Sequence, residues 1–454
     1  MAQPTTPSQA GIHAGTPIGF TDPLPKAVDL AIIGGGVIGI FAALYARQMG
    51  LSVVVLEKGR IAAEQSSRNW GWCRQQARDA DELPIVMEAT RLWDDIEAET
   101  GGGTGFKRVG CFYLAKDEAR LDSFEKWTDI AKQHQLETRR LTAADLDAHF
   151  EGGSKTWVGG VYTPSDGKAE PWRAVPSVAK LAQSKGVQII ENCAVRALDM
   201  SGGQVTGVIT EHGPIRAEQT VLAGGVWSSL LLQHHKRFIP QLAVRGSVAR
   251  TAPLPDVGQA TSIDESLSFR RRDDGGYTIT SRNEADFFIG RDAFRAMRFY
   301  LPVLTQVLGR TKYYPASPTA WPDAWGTPRR WADDAISPFE KMRVLDPAAN
   351  PKHVEKAARA FGERFPRLGT PQILNAWGGM IDTMPDLVPV VDHVHDLPGL
   401  IVATGMSGHG FGMGPGMGKI VAELAAARTP GHDISRFRYA RFTDGSKIRP
   451  GPAV

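Results

Sequence analysis

The chain has 454 residues, 42% of them apolar, and 52 basic side chains set against 49 acidic ones give a formal charge of +3. That length and apolar content provide for two or three domains with buried cores and exclude a chain disordered along most of its length, while so small a charge excludes the electrostatic footprint of a nucleic-acid binder and leaves a small-molecule partner. Cys73, Cys111 and Cys193 share no close spacing, so neither a metal site nor a disulfide framework is expected, and a reducing, cytoplasmic setting is favoured.

Residues 1–26 read as a flexible, Pro-rich arm, with no basic start and apolar stretch of a leader and no run near the ~18 apolar residues of a membrane span. An apolar strand from Val28 to Ile33, a glycine turn, a helix from Val37 to Met49 and a strand from Ser52 to Leu56 then predict a βαβ unit opening a parallel sheet. The turn Gly34-Gly35-Gly36-Val37-Ile38-Gly39 has glycine where a dinucleotide site needs it: Gly34 for a tight turn, Gly36 for close approach to a pyrophosphate, Gly39 for helix-to-strand packing. Glu57, followed by Lys58, ends the next strand, where an acid accepts hydrogen bonds from a ribose and repels the 2′-phosphate of NADP. FAD and NAD both satisfy this unit.

Helical segments around CFYLA fill 85–146, strands return at 187–227, a mixed region covers 241–374, and the strand LIVAT from Leu400 leads into a glycine loop and a helix at Pro415–Arg428. Two interleaved domains fit this order better than successive ones. The first takes 27–84, 170–240 and 375–430; the second takes 85–169 and 241–374, with 287–345 as an inserted helical module; 431–454 form a tail.

Two stretches, GRIAAEQSSRNWGW after Glu57 and GMSGHGFGMGPGMG at Gly405–Gly418, resemble the D-amino-acid-oxidase-like flavoprotein superfamily, which includes glycine oxidase, sarcosine oxidase and D-amino acid dehydrogenase. Within it the strings GTPIGF, LPK, GLSVVVLEKGRIAAEQSSR, TVLAGGVWS and ISPFEKMR are similar to bacterial membrane-associated L-amino acid deaminases. The resemblance implies an α/β fold in which a Rossmann-like FAD-binding domain interleaves with an α+β substrate domain carrying an antiparallel sheet. It implies Ser66, Ser67 and Arg68, with Gly71 and Trp72, along the flavin's phosphates and ribityl chain, Val195 at adenine, and Ala223, Gly224 and Trp227 beside the ADP moiety. Helix capping would serve Ser66 and Ser67 equally. Gly405, Gly408, His409, Gly410, Phe411 and Gly412 are expected against the isoalloxazine, where backbone N–H groups and a helix dipole favour the negative charge of a reduced flavin. Non-covalent FAD is expected, since that loop has no cysteine and no histidine adjoins Ser66–Trp72.

Amine oxidation by a flavin needs a positioned Cα–H and a neutral nitrogen, and an arginine fork is the natural clamp for a carboxylate. The resemblance puts that clamp at Arg270 in SFRRRDDGGYTI, and the flanking Arg271 and Arg272 read as a solvated charge run. Trp72 stands where the deaminases carry glutamine, which moves a second carboxylate contact to Arg74 or removes it. Ile381 replaces an arginine of many amine oxidases, and the adjacent Asp382 either pairs with a substrate cation or bonds its own backbone in a turn. Trp70, Trp72 and Trp377 form an aromatic wall or simply pack a core.

From Phe287 to Gly309, Phe294, Met297, Leu301 and Leu304 share one helical side and Arg291, Arg295 and Arg298 another, a pattern that suits either the cover of the substrate domain or peripheral contact with the inner membrane. The expected activity is oxidation of the CH–NH2 group of an amino acid by hydride transfer to FAD, giving an imino acid and then a keto acid and ammonia, with oxygen or a quinone of an electron-transfer chain as acceptor. D-amino acids, secondary amines of the sarcosine or glycine oxidase type, and a non-catalytic flavin-binding subunit are the alternatives; oligomer formation is open.

Overall fold

A computed structural model describes residues 11–150, 153, 155–282, 284–303, 311–449 and 451. Strand β1 (Ala27–Ile33) has no exposed surface from Leu30 to Ile32, as expected of a parallel strand covered on both faces. It pairs in parallel with β2 (Val53–Leu56) on one side and with Gly213–Leu222 on the other; Gln188–Ile190 and Leu400–Thr404 add parallel strands outside these. In register Ile33 meets Leu56 and Leu222, and Leu56 meets Ile190, so the carboxyl ends finish at one level. Helix α1 (Val37–Gln48) is buried from Val37 to Ala46, because it is covered by the closing helix Gly410–Ala425.

That closing helix begins at Gly410, five residues before the expected start at Pro415, and takes in much of the glycine loop. Its glycines form two stripes four residues apart. A Cβ on Gly414 would lie 2.5 Å from Val37 Cγ2 and one on Gly418 2.4 Å from Phe41 Cβ, both on α1; one on Gly416 would lie 2.7 Å from the carbonyl of Ile85, and one on Gly412 3.1 Å from Trp72 and Cys73 backbone. Close approach on two sides offsets the entropy lost by glycine in a helix.

The second sheet is mostly antiparallel, as expected, with ten strands among the described residues. Its longest pair is Leu242–Thr251 with Ile373–Thr383. Domain limits differ from the sequence reading in both directions. Helix Leu83–Glu99, expected in the second domain from residue 85, packs into the dinucleotide core, where the buried Trp93 donates Nε1–H to the carbonyl of Gly412 at 3.0 Å. Ile373–Thr383, expected in the first domain from residue 375, belongs to the second sheet.

Neither end is loose where described. Gly19 N–H donates to Glu191 Oε2 at 2.6 Å, Ile189 N–H to Asp22 at 2.8 Å, and Phe20 is buried. In the tail, Arg441 is buried against Asp386 between Phe437 and Phe442. The 287–345 module carries helix Arg291–Tyr300 and also strand Thr311–Tyr314, parallel to Ala285–Phe288. Phe294, Met297 and Leu301 are exposed, and Leu304 lies outside the described residues. Among the described residues no helix is long and apolar enough to cross a membrane.

A Cβ on Gly39 would sit 2.1 Å from the Gly34 carbonyl oxygen and 3.2 Å from Ile32 Cγ2, whereas one on Gly326 meets nothing within 4 Å. Gly39→Ala is therefore expected to destabilise the protein by about 1–3 kcal/mol, and Gly326→Ala by less than about 0.5 kcal/mol, measured by urea unfolding.

Candidate active site

At the carboxyl ends of the parallel strands lies a cavity of about 410 Å³, the usual ligand position in such sheets. Gly34 adopts φ +112°, donates N–H to the Leu56 carbonyl at 2.9 Å, and has room only because it lacks a Cβ, which would fall 2.5 Å from the Ala223 oxygen. Gly34, Gly36, Val37 and Ile38 line the cavity; Gly39 lies beneath the turn. Glu57 accepts the N–H groups of Gly35 at 2.8 Å and Gly59 at 2.7 Å, and burial pushes its carboxyl upward against the pull of Lys58. Lys58 is paired with Glu64 at 2.6 Å and sits 4.3 Å over the ring of Trp227; both line this end with Val195, Ala223 and Gly224.

Ser66 Oγ accepts the Val37 N–H at 2.9 Å, so it caps α1 and lines the cavity at once. Ser67 is buried behind it, off the wall, its hydroxyl without a partner among the described residues. Arg68 reaches the wall but its guanidinium is held by Asp346 and by the Ala63 carbonyl at 2.9 Å. Asp382 also lines the cavity. Its Oδ2 accepts from Gly405 N at 2.8 Å and Gln241 Nε2 at 3.1 Å, Oδ1 has no partner, and burial pushes its carboxyl upward. It is thus tied to the terminal loop rather than closed on its own turn.

From that loop Gly408, His409, Gly410 and Phe411 reach the cavity together with Met406 and Ser407, while Gly405 and Gly412 stand behind them. The N-termini of α1 and of Gly410–Ala425 both face the cavity, favouring negative charge at two separated points. Two helix ends, a turn that a Cβ would block and an unpartnered carboxyl oxygen fit an extended dinucleotide.

The remaining wall is made by Trp70 and Trp72, edge to face at 5.4 Å, with Gly246, Val248, Ile381, Arg74 and Arg78. Arg78 is 4% exposed, donates Nε–H to the Arg74 carbonyl at 3.3 Å and has no partner for Nη1; burial and the neighbouring Arg74 bring its pKa down to about 9. His409 Nδ1 lies 3.1 Å from the buried Glu82 carboxyl, and burial, with Arg78 close by, lowers its pKa to about 4, leaving the imidazole neutral. Sequence reasoning missed Arg78 and Glu82. QARDADEL, which holds both, carries no motif.

Arg270 is not on the cavity wall. Its guanidinium is bound by Glu170 at 2.7 and 3.1 Å, and its Nε donates to the Trp70 carbonyl, against Gly71 at φ +78°. It supports the Trp70–Gly71 turn from behind, and Gly71 is itself off the wall. Trp377 also sits behind the wall, donating to the Arg68 carbonyl at 3.1 Å and packing edge-on against Trp172. Arg272 is buried against Asp274 and the Trp172 ring rather than solvated.

Burial alone would raise the Glu170 carboxyl, but Arg270 overrides this and holds its pKa at about 2, below the ordinary 4.5. The pair's stabilisation is therefore complete above pH 4.5 and is lost as pH falls toward 2. Glu170→Gln, which strands a buried cation, is expected to cost about 3–5 kcal/mol, and the double variant Glu170→Gln/Arg270→Met to recover most of it. Urea midpoints between pH 5.5 and 3 should fall more steeply for the unmodified protein than for the double variant.

A family model described as FAD dependent oxidoreductase, the DAO family, matches residues 29–424. Among solved structures, the L-amino acid deaminase of Proteus myxofaciens in complex with anthranilate superposes with a TM-score of 0.89 at 27% identity, covering 97% of this chain and 98% of that one. The L-amino acid deaminase of Proteus vulgaris gives 0.88 at 26%, covering 94% and 100%. N-methyl-L-tryptophan oxidase of Salmonella arizonae is 25% identical over 91% of this chain and 99% of its own length. Mitochondrial sarcosine dehydrogenase of Homo sapiens is 24% identical over 93% of this chain, which spans only 43% of that protein. The family match runs from β1 into the closing helix, and the glycine turn, Glu57 and the terminal loop meet on one cavity: the chain belongs to the DAO family of FAD-dependent oxidoreductases.

Proposed function

We propose that this enzyme oxidises the CH–NH group of an α-amino acid of the L series whose carboxylate is held by Arg78. The observation that carries the reading is the unpaired guanidinium of Arg78, buried in the cavity wall beside Trp72 and His409. A charge removed from water needs a counter-ion, and the planar fork of arginine matches a carboxylate. The likeness to two L-amino acid deaminases at TM-scores of 0.88 and 0.89 supports the substrate class and its hand. Bound FAD supplies the hydride acceptor for the substrate Cα–H. Arg78 fixes the carboxylate, Trp70 and Trp72 exclude water from the substrate face, and Ile381 leaves that wall apolar. Glu82 accepts from His409 Nδ1–H and leaves Nε2 as an acceptor. An imino acid released from this wall meets water and hydrolyses to a keto acid and ammonia.

Anaerobic mixing with L-amino acids, D-amino acids, N-methyl amino acids and amines lacking a carboxylate tests the reading through bleaching of the flavin absorbance. L-amino acids are expected to bleach it and simple amines to leave it oxidised; no bleaching by any amine overturns the assignment. Reoxidation by air against a quinone identifies the acceptor. Arg78→Gln is expected to raise KM for carboxylate substrates by roughly 10- to 100-fold, with Arg78→Lys intermediate and the flavin spectrum retained in both.

A further inference from the structure

Four buried guanidinium groups elsewhere in this protein are neutralised by carboxylates, Arg68 by Asp346, Arg270 by Glu170, Arg364 by Asp264 and Arg441 by Asp386, while the buried Arg282, off the cavity wall, donates to the Asp264 carbonyl and lies over the Tyr113 ring. Arg74 and Arg78 differ from the four paired groups and, in their place at the cavity, from Arg282. Both line the cavity, and among the described residues neither has an ion pair. Arg74 donates Nη1–H to the Gln76 carbonyl and lies 5.5 Å over the ring of Tyr113; Arg78 donates only Nε–H, to the Arg74 carbonyl.

The acids nearest to them are engaged elsewhere. Glu82 bonds His409, and Asp166 accepts the N–H groups of Gln75 at 2.7 Å and Gln76 at 3.2 Å. Two guanidinium groups whose charges repel at close range are costly to hold in a cavity wall unless anions enter between or beside them. A single carboxylate fills the fork of one arginine; the second fork calls for a second acid.

We propose that the substrate is an amino dicarboxylate, with the α-carboxylate on Arg78 and the second acidic group on Arg74. This rests on the reading of Arg78 given above. The second acid comes either from the side chain or from a carboxyalkyl group on the nitrogen, and both present the same charge to Arg74. Trp72, two residues before Arg74, supplies the apolar wall between the reacting carbon and the outer acid.

The test compares flavin bleaching by L-aspartate, L-glutamate and iminodiacetate with that by L-asparagine, L-glutamine and glycine. At least one dicarboxylate is expected to act at concentrations roughly 10- to 100-fold lower than its uncharged counterpart, and Arg74→Gln to erase that preference while the flavin spectrum is kept. Which dicarboxylate reacts tells the side-chain acid from the N-linked one. Equal or better reaction of the neutral amino acids overturns this inference and leaves the amino-acid reading standing; failure of every amine overturns that reading instead. Should Arg74→Gln not fold, titration of the unmodified holoenzyme with unreactive succinate, glutarate and butyrate decides the point by flavin difference spectra. The two diacids are expected to perturb the flavin at roughly tenfold lower concentration than butyrate, and parity overturns the proposal.

Discussion

A guanidinium taken out of water loses several kcal/mol of hydration unless a carboxylate takes the water's place, and four buried arginines of the chain meet this requirement. Arg68 meets Asp346, Arg270 meets Glu170, Arg364 meets Asp264 and Arg441 meets Asp386, each across a long stretch of sequence. Such pairs hold the fold in one arrangement because breaking either half leaves a buried charge. Arg270 shows what that means for the site. Its ion pair fixes the Trp70–Gly71 turn, and that turn presents Trp70 and Trp72 to the cavity.

The other constraint is close backbone approach. β1 ends level with its neighbours, and Gly34 and Gly39 let α1 start directly against that edge. The closing helix approaches α1 on one glycine stripe and Leu83–Glu99 on the other, which aims its N-terminus at the same cavity from the opposite side. Where these elements meet, the shape of the cavity depends on where side chains are missing.

That difference explains what the sequence showed and what it hid. Gly34, Gly36, Glu57 and the terminal glycines are local patterns whose partners lie within one βαβ unit or one helix start, so spacing alone exposes them. The place of Arg270 behind the wall is not legible in the sequence because Glu170, which neutralises it, is remote in sequence and sits at the start of another helix. Arg78 gives no signal because its neighbours are remote in sequence: Trp127, whose indole donates to the Arg78 carbonyl, and His409 on the terminal loop. Trp377 reads as a wall residue until its indole is seen bonded to the Arg68 backbone. The packing of helix Leu83–Glu99 is hidden for a related reason: it looks like any amphipathic helix, and only the glycines of a segment more than 300 residues later decide where it packs.

In the proposed reading, substrate choice sits in a different part of the chain from the glycine turn and Glu57. Residues 72–82 carry Trp72, Arg74, Arg78 and Glu82 in one continuous crossing between the short strand Trp72–Cys73 and helix Leu83–Glu99, laid over the terminal loop at Gly412 and His409. Both ends of this crossing are anchored by backbone contacts that any side chain between them leaves intact. Its charges can therefore change without disturbing the glycine turn or Glu57. A family whose members share this fold at about one residue in four can thus keep the flavin cradle while its substrates diverge. In this chain the crossing holds two guanidinium groups at the cavity that form no ion pair among the described residues, and the proposed dicarboxylate is the anion that would complete them.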